Sequence, residues 1–193
     1  MSSDGRQGTV TLVRHSETEW SLAGRHTGRT DVPLTDAGRD RARALADKLR
    51  GRSFTLVLTS PLSRAVETAR LAGFPDAEPD PNLVEWDYGD DEGLTTPQIR
   101  EQRDPDWLLW RDGAAGGEAA SDVGARVDRV IARLTAAGGD CLVFAHGHVL
   151  RVLAARWLEQ TAQFGARLVL QTGTLSVLGY EHDVRAILSW NAG

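Results

Sequence analysis

Apolar residues in this chain follow two spacings. Unbroken runs at Gly8–Val13, Phe54–Thr59 and Cys141–Ala145 are short, rich in β-branched residues and leucine, and bounded by glycine or polar residues. Such runs predict strands buried on both faces. Elsewhere the apolar positions recur at helical spacing. Thr35 is placed as an N-cap ahead of Ala42, Leu45, Ala46 and Leu49, with Gly51 as the stop. Pro61 suits the first turn of a second helix, which Ala65, Ala69 and Leu71 continue to Gly73. Residues Pro75–Pro81 break the pattern, and a short helix is predicted over Thr96–Arg103. Val123, Val127, Val130, Ile131 and Leu134 form the stripe of a long helix over Ser121–Ala137, ended by Gly138-Gly139. A helix over His148–Glu159 follows the third run, and Gly173–Tyr180 and Val184–Trp190 read as a closing hairpin across Glu181-His182-Asp183.

Strands alternating with helices predict an α/β fold: a three-layer α/β/α sandwich with a mainly parallel central sheet and an antiparallel edge from the closing hairpin. At 193 residues one domain spanning 1–193 is expected, without internal repeats. The segment 1–7 is polar and expected to be loose. Ser21–Thr35 is rich in turn formers and too long for a minimal connection, which fits a loop laid over an active site. Arg111–Gly117 is glycine-rich but short, a loop rather than a linker.

Composition changes this picture in a few places. A net charge of −5 argues against a nucleic-acid surface. No apolar run approaches the roughly 18 residues of a membrane span, and the N-terminal residues hold no apolar signal core, so a cytoplasmic protein is expected. Cys141 is the only cysteine, and its place in a strand predicts a buried thiol. Lys48 is the sole lysine among 22 basic residues, so an arginine carries information only through its position. Any of the six tryptophans left exposed would mark an interface, and a homodimer is the assembly allowed for.

The candidate chemistry sits where the three strand-like runs end. Arg14-His15 follows the first, Ser60-Pro61-Leu62-Ser63-Arg64 the second and His146-Gly147-His148 the third. Ligands of open α/β sheets bind beyond the carboxyl ends of the strands. A neutral imidazole at His15 is a nucleophile once its other nitrogen donates to a fixed acceptor, often a backbone carbonyl. Arg14 and Arg64 offer planar forks that match phosphate, and His146 adds a third donor.

Leu12–Trp20, Thr59–Ala69 and Phe144–Arg151 each resemble a sequence block of the histidine phosphatase superfamily, the phosphoglycerate-mutase-like proteins, and stand in the family order. The resemblance implies that His15 is phosphorylated and that Arg14, Arg64 and His146 form the phosphate pocket. Leu83–Gly93 resembles the block carrying the general acid, which makes Glu85 the candidate; Asp87, Asp90, Asp91 and Glu92 are its competitors. Thr27, Gly28, Tyr88 and Gly147 fall at substrate-contact positions, as does Ser21, where many members have asparagine. His148 is either a further contact or a supporting residue that opens its helix. Ser16 replaces the usual glycine and puts the local backbone in question, although its hydroxyl is available to a phosphate. Glu118-Ala119 departs from the usual Gly-Glu-Ser, which weakens the entry to the long helix.

The expected function is hydrolysis of small phosphorylated metabolites through a phosphohistidine, of the broad-specificity acid phosphatase or sugar-bisphosphatase type suggested by Glu85–Gly89. No cofactor, metal, nucleic acid or membrane is expected to take part. A cofactor-dependent phosphoglycerate mutase is the alternative enzyme. Mutases of the family carry large insertions between the acid and the second histidine and a shielding C-terminal tail, whereas only residues 86–145 separate Glu85 from His146 and the chain runs a short way past its last predicted strand. A non-catalytic phospholigand-binding module is another alternative. A metallohydrolase using His146 and His148 has no carboxylate or cysteine nearby at ligand spacing.

Overall fold

The computed structural model describes residues 7–193; the segment expected to be loose lies, over residues 1–6, outside the described residues. The chain runs β1 (Val10–Arg14), α1 (Glu19–Leu22), α2 (Asp36–Leu49), β2 (Leu56–Thr59), α3 (Ser63–Leu71), β3 (Glu78–Pro79), α4 (Thr96–Gln102), α5 (Leu109–Asp112), α6 (Ala120–Ala136), β4 (Cys141–Ala145), α7 (Gly147–Trp157), β5 (Leu175–Glu181) and β6 (Val184–Ala192). The strands form one sheet in the order β3-β2-β4-β1-β5-β6. Strands β3, β2, β4 and β1 are parallel, and β5 and β6 add an antiparallel edge.

Every residue of β4 is buried, and its side chains alternate between two cores, as the pleat requires. Cys141, Val143 and Ala145 join Val123, Val127 and Val130 of α6 and Val149, Leu150 and Leu153 of α7. Leu142 and Phe144 join Leu45 and Leu49 of α2 and Ala69 of α3. A helical layer on each face of the sheet gives the three layers that the alternation predicts. The Cys141 thiol is buried, as expected.

Local structure departs from the sequence reading in several places. Pro61 lies outside α3, which begins at Ser63 after an extended Leu62 that supplies no side-chain cap. The cap comes from afar: the Asp31 carboxylate accepts hydrogen bonds from the Ser63 N–H at 3.0 Å and its hydroxyl at 2.8 Å. Residues Pro75–Pro81 are not wholly irregular, because Glu78–Pro79 adds an edge strand to β2. Proline is tolerated there since an edge strand has one unpaired side. Phe54 and Thr55 precede β2, and the Ser21–Thr35 loop begins inside the short α1. Thr35 caps α2 through the Gly38 N–H, as predicted. Ala119 supplies no cap to α6, and Asp122 compensates by accepting the Ala119 N–H at 2.8 Å. None of the tryptophans is exposed: Trp86, Trp107 and Trp157 are buried and Trp20, Trp110 and Trp190 half-buried, so tryptophan marks no interface. Among the described residues no helix is long and apolar enough to cross a membrane.

Candidate active site

β1 and β4 are neighbours in parallel register, Arg14 opposite Ala145, so the residues that follow them leave the sheet side by side. The His15 N–H extends the ladder to Ala145 O at 2.8 Å, and the Ser60 N–H does the same to Phe144 O at 2.8 Å. Three chain segments therefore meet at one sheet edge. The rings of His15 and His146 approach edge to face with centroids 5.1 Å apart.

His15 Nδ1 lies 2.7 Å from Ser16 O. A carbonyl only accepts, so Nδ1 carries the proton and Nε2 keeps its lone pair. Burial, then the charges of Arg14 and Arg64, hold His15 well below the usual imidazole value, so the ring is neutral. Two buried polar atoms next to it in the chain have no protein partner, Arg14 Nε and Ser16 Oγ. Buried donors without partners are uncommon and mark a place for a ligand's acceptors. Serine replaces glycine at position 16 without strain, because Ser16 is not among the residues of positive φ.

His146 is engaged at both nitrogens: Nδ1 accepts from Arg64 Nε at 3.1 Å, and Nε2 donates to Ser60 Oγ at 2.7 Å. Burial first, then Arg64, pushes it well below the usual value. The Arg64 guanidinium also donates to Thr30 O at 3.0 Å, Thr27 O at 3.0 Å and Gly28 O at 2.9 Å, tying α3 to the first loop. Glu92 secures that loop from the other side by accepting the Gly28 and Thr30 N–H groups at 2.9 and 3.1 Å.

Glu85 caps the N-terminus of α7. Its Oε1 accepts from Trp86 N and Val149 N, and its Oε2 from His148 N, each at 2.9 Å. A carboxylate has about four lone-pair sites, so one on Oε2 remains open. Beside it, the Tyr88 hydroxyl lies 2.5 Å from His148 Nδ1. Burial raises Tyr88 well above its usual value and holds His148 well below its own, so a neutral phenol and a neutral imidazole share this hydrogen bond.

These groups surround a cavity of about 240 Å³. Of the residues singled out in the sequence, Arg14, His15, Ser21, Thr27, Glu85, Tyr88, Gly147 and His148 line it. Four predicted residues are not on its wall. Arg64 and His146 are wholly buried, bonded to each other and to loop carbonyls. Ser16 is buried as well. Gly28 fills a backbone contact instead, since a Cβ there would stand 2.6 Å from Trp86 O. The Ser21 hydroxyl, though on the cavity, donates to Thr18 O in the capping of α1. Of the competing carboxylates, Asp87 pairs with Arg29 at 2.7 Å, Asp91 with Arg103 at 2.8 Å, and Glu92 holds the loop; none of these, nor Asp90, lines the cavity.

The sequence reading missed Gly24, Arg25, His26, Thr96, Arg151 and Leu170 on the wall. Arg151 was within reach, because it stands three residues after His148 on α7 and residues at that spacing share a helix face. His26 lies in the loop already singled out. Leu170 and Thr96 come from distant segments and carry no local signal.

Residues 10–193 match the family described as the histidine phosphatase superfamily (branch 1), and the chain belongs to it. It is similar to an acid phosphatase of Mycobacterium tuberculosis, 42% identical over 187 residues that cover 94% of this chain and 91% of the relative. Sedoheptulose 1,7-bisphosphatase of Saccharomyces cerevisiae is 36% identical over 178 residues, covering 76% of this chain and 66% of that protein. The solved structure of the open reading frame Rv3214 from Mycobacterium tuberculosis superposes with a TM-score of 0.92 at 40% identity, covering 97% and 98% of the two chains. Relatives named 2,3-bisphosphoglycerate-dependent phosphoglycerate mutase match as well.

Proposed function

We propose that this protein is a phosphomonoester hydrolase that acts on small phosphorylated metabolites through a phosphohistidine at His15. The observation that carries the reading is the free Nε2 of a neutral His15 on a cavity that also holds the Glu85 carboxyl group. Nε2 attacks phosphorus and the ester oxygen leaves in line with it; Arg14, on the cavity wall, offers its unpaired Nε–H to a phosphoryl oxygen. Arg64 and His146, buried behind His15, complete the polar surround; Arg64 supplies charge and neutral His146 holds Arg64 Nε. Protonated Glu85 gives its Oε2 proton to the departing alcohol. Its carboxylate then takes a proton from the water that attacks the phosphohistidine, releasing inorganic phosphate and restoring His15. Thr27, Tyr88, Gly147 and His148 contact the alcohol portion.

The names of the relatives support an acid phosphatase or sugar-bisphosphatase specificity. Hydrolysis is favoured over phosphoryl transfer to a second metabolite because the cavity reaches solvent at the exposed Gly24 and Arg25, which admits water to His15. A binding module has no use for a proton-transfer group set against a free nucleophile. His146 and His148 turn to different partners, Ser60 and Tyr88, which disfavours joint metal ligation. We further infer a cytoplasmic location, supported by the substrate class, since phosphorylated metabolites are retained inside cells; cell fractionation tests it.

Rapid quench with labelled substrate should trap an acid-labile, base-stable phosphoenzyme, and His15→Ala should lose both this species and activity while keeping its fold. A well-folded His15→Ala enzyme retaining most of its rate would falsify the reading. The same assay on sugar phosphates, bisphosphates, phosphoglycerates and an aryl phosphate ranks substrates by kcat/KM, and labelled product distinguishes transfer to water from transfer to a phosphoglycerate.

A further inference from the structure

The buried face of α6 is apolar except at Arg126, which is only 7% exposed. A guanidinium removed from water is tolerated when its N–H groups are all paired. Here each of the five has an acceptor. Nη1 donates to Asn82 O and Val84 O at 2.7 Å each, and Nη2 to Glu85 O at 3.1 Å. The remaining two bind the Glu118 carboxylate, Nε to Oε1 at 2.8 Å and Nη2 to Oε2 at 3.1 Å. Glu118 in turn accepts the Asp87 N–H at 2.9 Å through Oε2 and the Trp86 indole N–H at 2.8 Å through its carbonyl.

The acceptors fall on both sides of Glu85. Residues 85–88 lie in neither helix nor strand, so no ladder fixes the backbone that carries this side chain. Its carboxylate has to meet two N–H groups of the first turn of α7, on a separate element. Arg126 holds the peptide leading into Glu85 through Val84 O and the one leading out through Glu85 O, and Glu118 holds the next through the Asp87 N–H.

We propose that Arg126 and Glu118 are a positioning pair for Glu85, setting the carboxyl group against the N-terminus of α7 at the distance that proton transfer needs. The inference rests on the reading of Glu85 as the proton donor. Neither residue lines the cavity, so both act through Glu85 rather than on substrate.

The test is a double-mutant cycle on the full chain, using Arg126→Lys, Arg126→Met, Glu118→Gln and Glu85→Gln, with circular dichroism and thermal melts as fold controls. Arg126→Lys keeps the charge but cannot reach all these acceptors. It should lower the single-turnover phosphorylation rate on a sugar phosphate by about 10²-fold, with a smaller change in KM, because misplacing a reacting group by about 1 Å has that effect. Added to Glu85→Gln, the same substitution should cost less than about twofold. Losses that multiply in the double variant overturn the positioning role. If Arg126→Met fails to fold, Glu118→Gln, equal in size, carries the same cycle. Failure of the acid assignment reads differently: Glu85→Gln alone would then slow an aryl phosphate and a sugar phosphate equally, whatever the cycle shows.

Discussion

Ser60 Oγ accepts a hydrogen bond from Nε2 of His146 at 2.7 Å, and both residues are fully buried. Arg64 Nε can only donate, so His146 Nδ1 keeps the lone pair and Nε2 carries the proton that Ser60 accepts. Ser60 thus orients the Arg64–His146 pair from the end of β2 without touching the cavity.

Removal of that hydroxyl leaves a buried N–H without its partner, which costs about 1–3 kcal/mol. Ser60→Ala should lower the denaturation midpoint accordingly and reduce kcat, while Ser60→Thr restores the acceptor and recovers part of both. Equal kinetics for wild type and Ser60→Ala would show that the orientation of His146 does not depend on Ser60.

His15, His146 and His148 are all held well below the usual imidazole value, by burial first, then by Arg14 and Arg64 at His15, by Arg64 at His146 and by Arg151 at His148. The nucleophile therefore stays neutral as the solution acidifies, and the acid limb of kcat/KM should lie well below about 6.5, the ordinary histidine value. Stability carries the opposite sign. Below about pH 6.5 the unfolded chain binds protons that the folded chain refuses, so each such histidine removes about 1.4 kcal/mol per pH unit until its folded-state pKa is reached. Urea midpoints at pH 7.5 and 5.5 check this; a protein more stable at the lower pH contradicts the buried, neutral histidines.

In the proposed mechanism Glu85 differs from the phosphate-binding groups because it moves a proton and does not hold the ground-state ester. Glu85→Gln preserves size and most hydrogen bonding, and should lower kcat by about 10²-fold with a smaller change in KM. An aryl phosphate, whose phenolate departs with little protonation, should lose less phosphorylation rate than a sugar phosphate. Single-turnover rates on the two substrates read the difference, and parallel losses assign the proton elsewhere.

The local features of this protein were legible in its sequence because they depend on near neighbours. Strand runs, the Thr35 cap, the stripe of α6 and the burial of Cys141 follow from spacing and composition. So does the meeting of Arg14-His15 with His146-Gly147-His148 at one sheet edge, since parallel strands deliver their carboxyl ends to the same side. Even the backbone carbonyl that fixes the His15 tautomer is of the kind anticipated, because Ser16 is the next residue.

What tertiary structure alone decided are the partners separated by long stretches of chain. Arg64 and His146, expected to form the phosphate pocket with Arg14, pair with each other in the interior, where Arg64 also finds the carbonyls of Thr27, Gly28 and Thr30. The neighbouring carboxylates likewise differ through distant partners: Arg29, Arg103 and the Gly28 N–H engage Asp87, Asp91 and Glu92, and the first turn of α7 receives Glu85. Arg126 had one faint signal, a charge on an apolar helix face, which a chain so rich in arginine conceals. A hydrogen bond between residues far apart in sequence leaves no periodicity behind; it exists only once the sheet and its flanking helices bring donor and acceptor within reach.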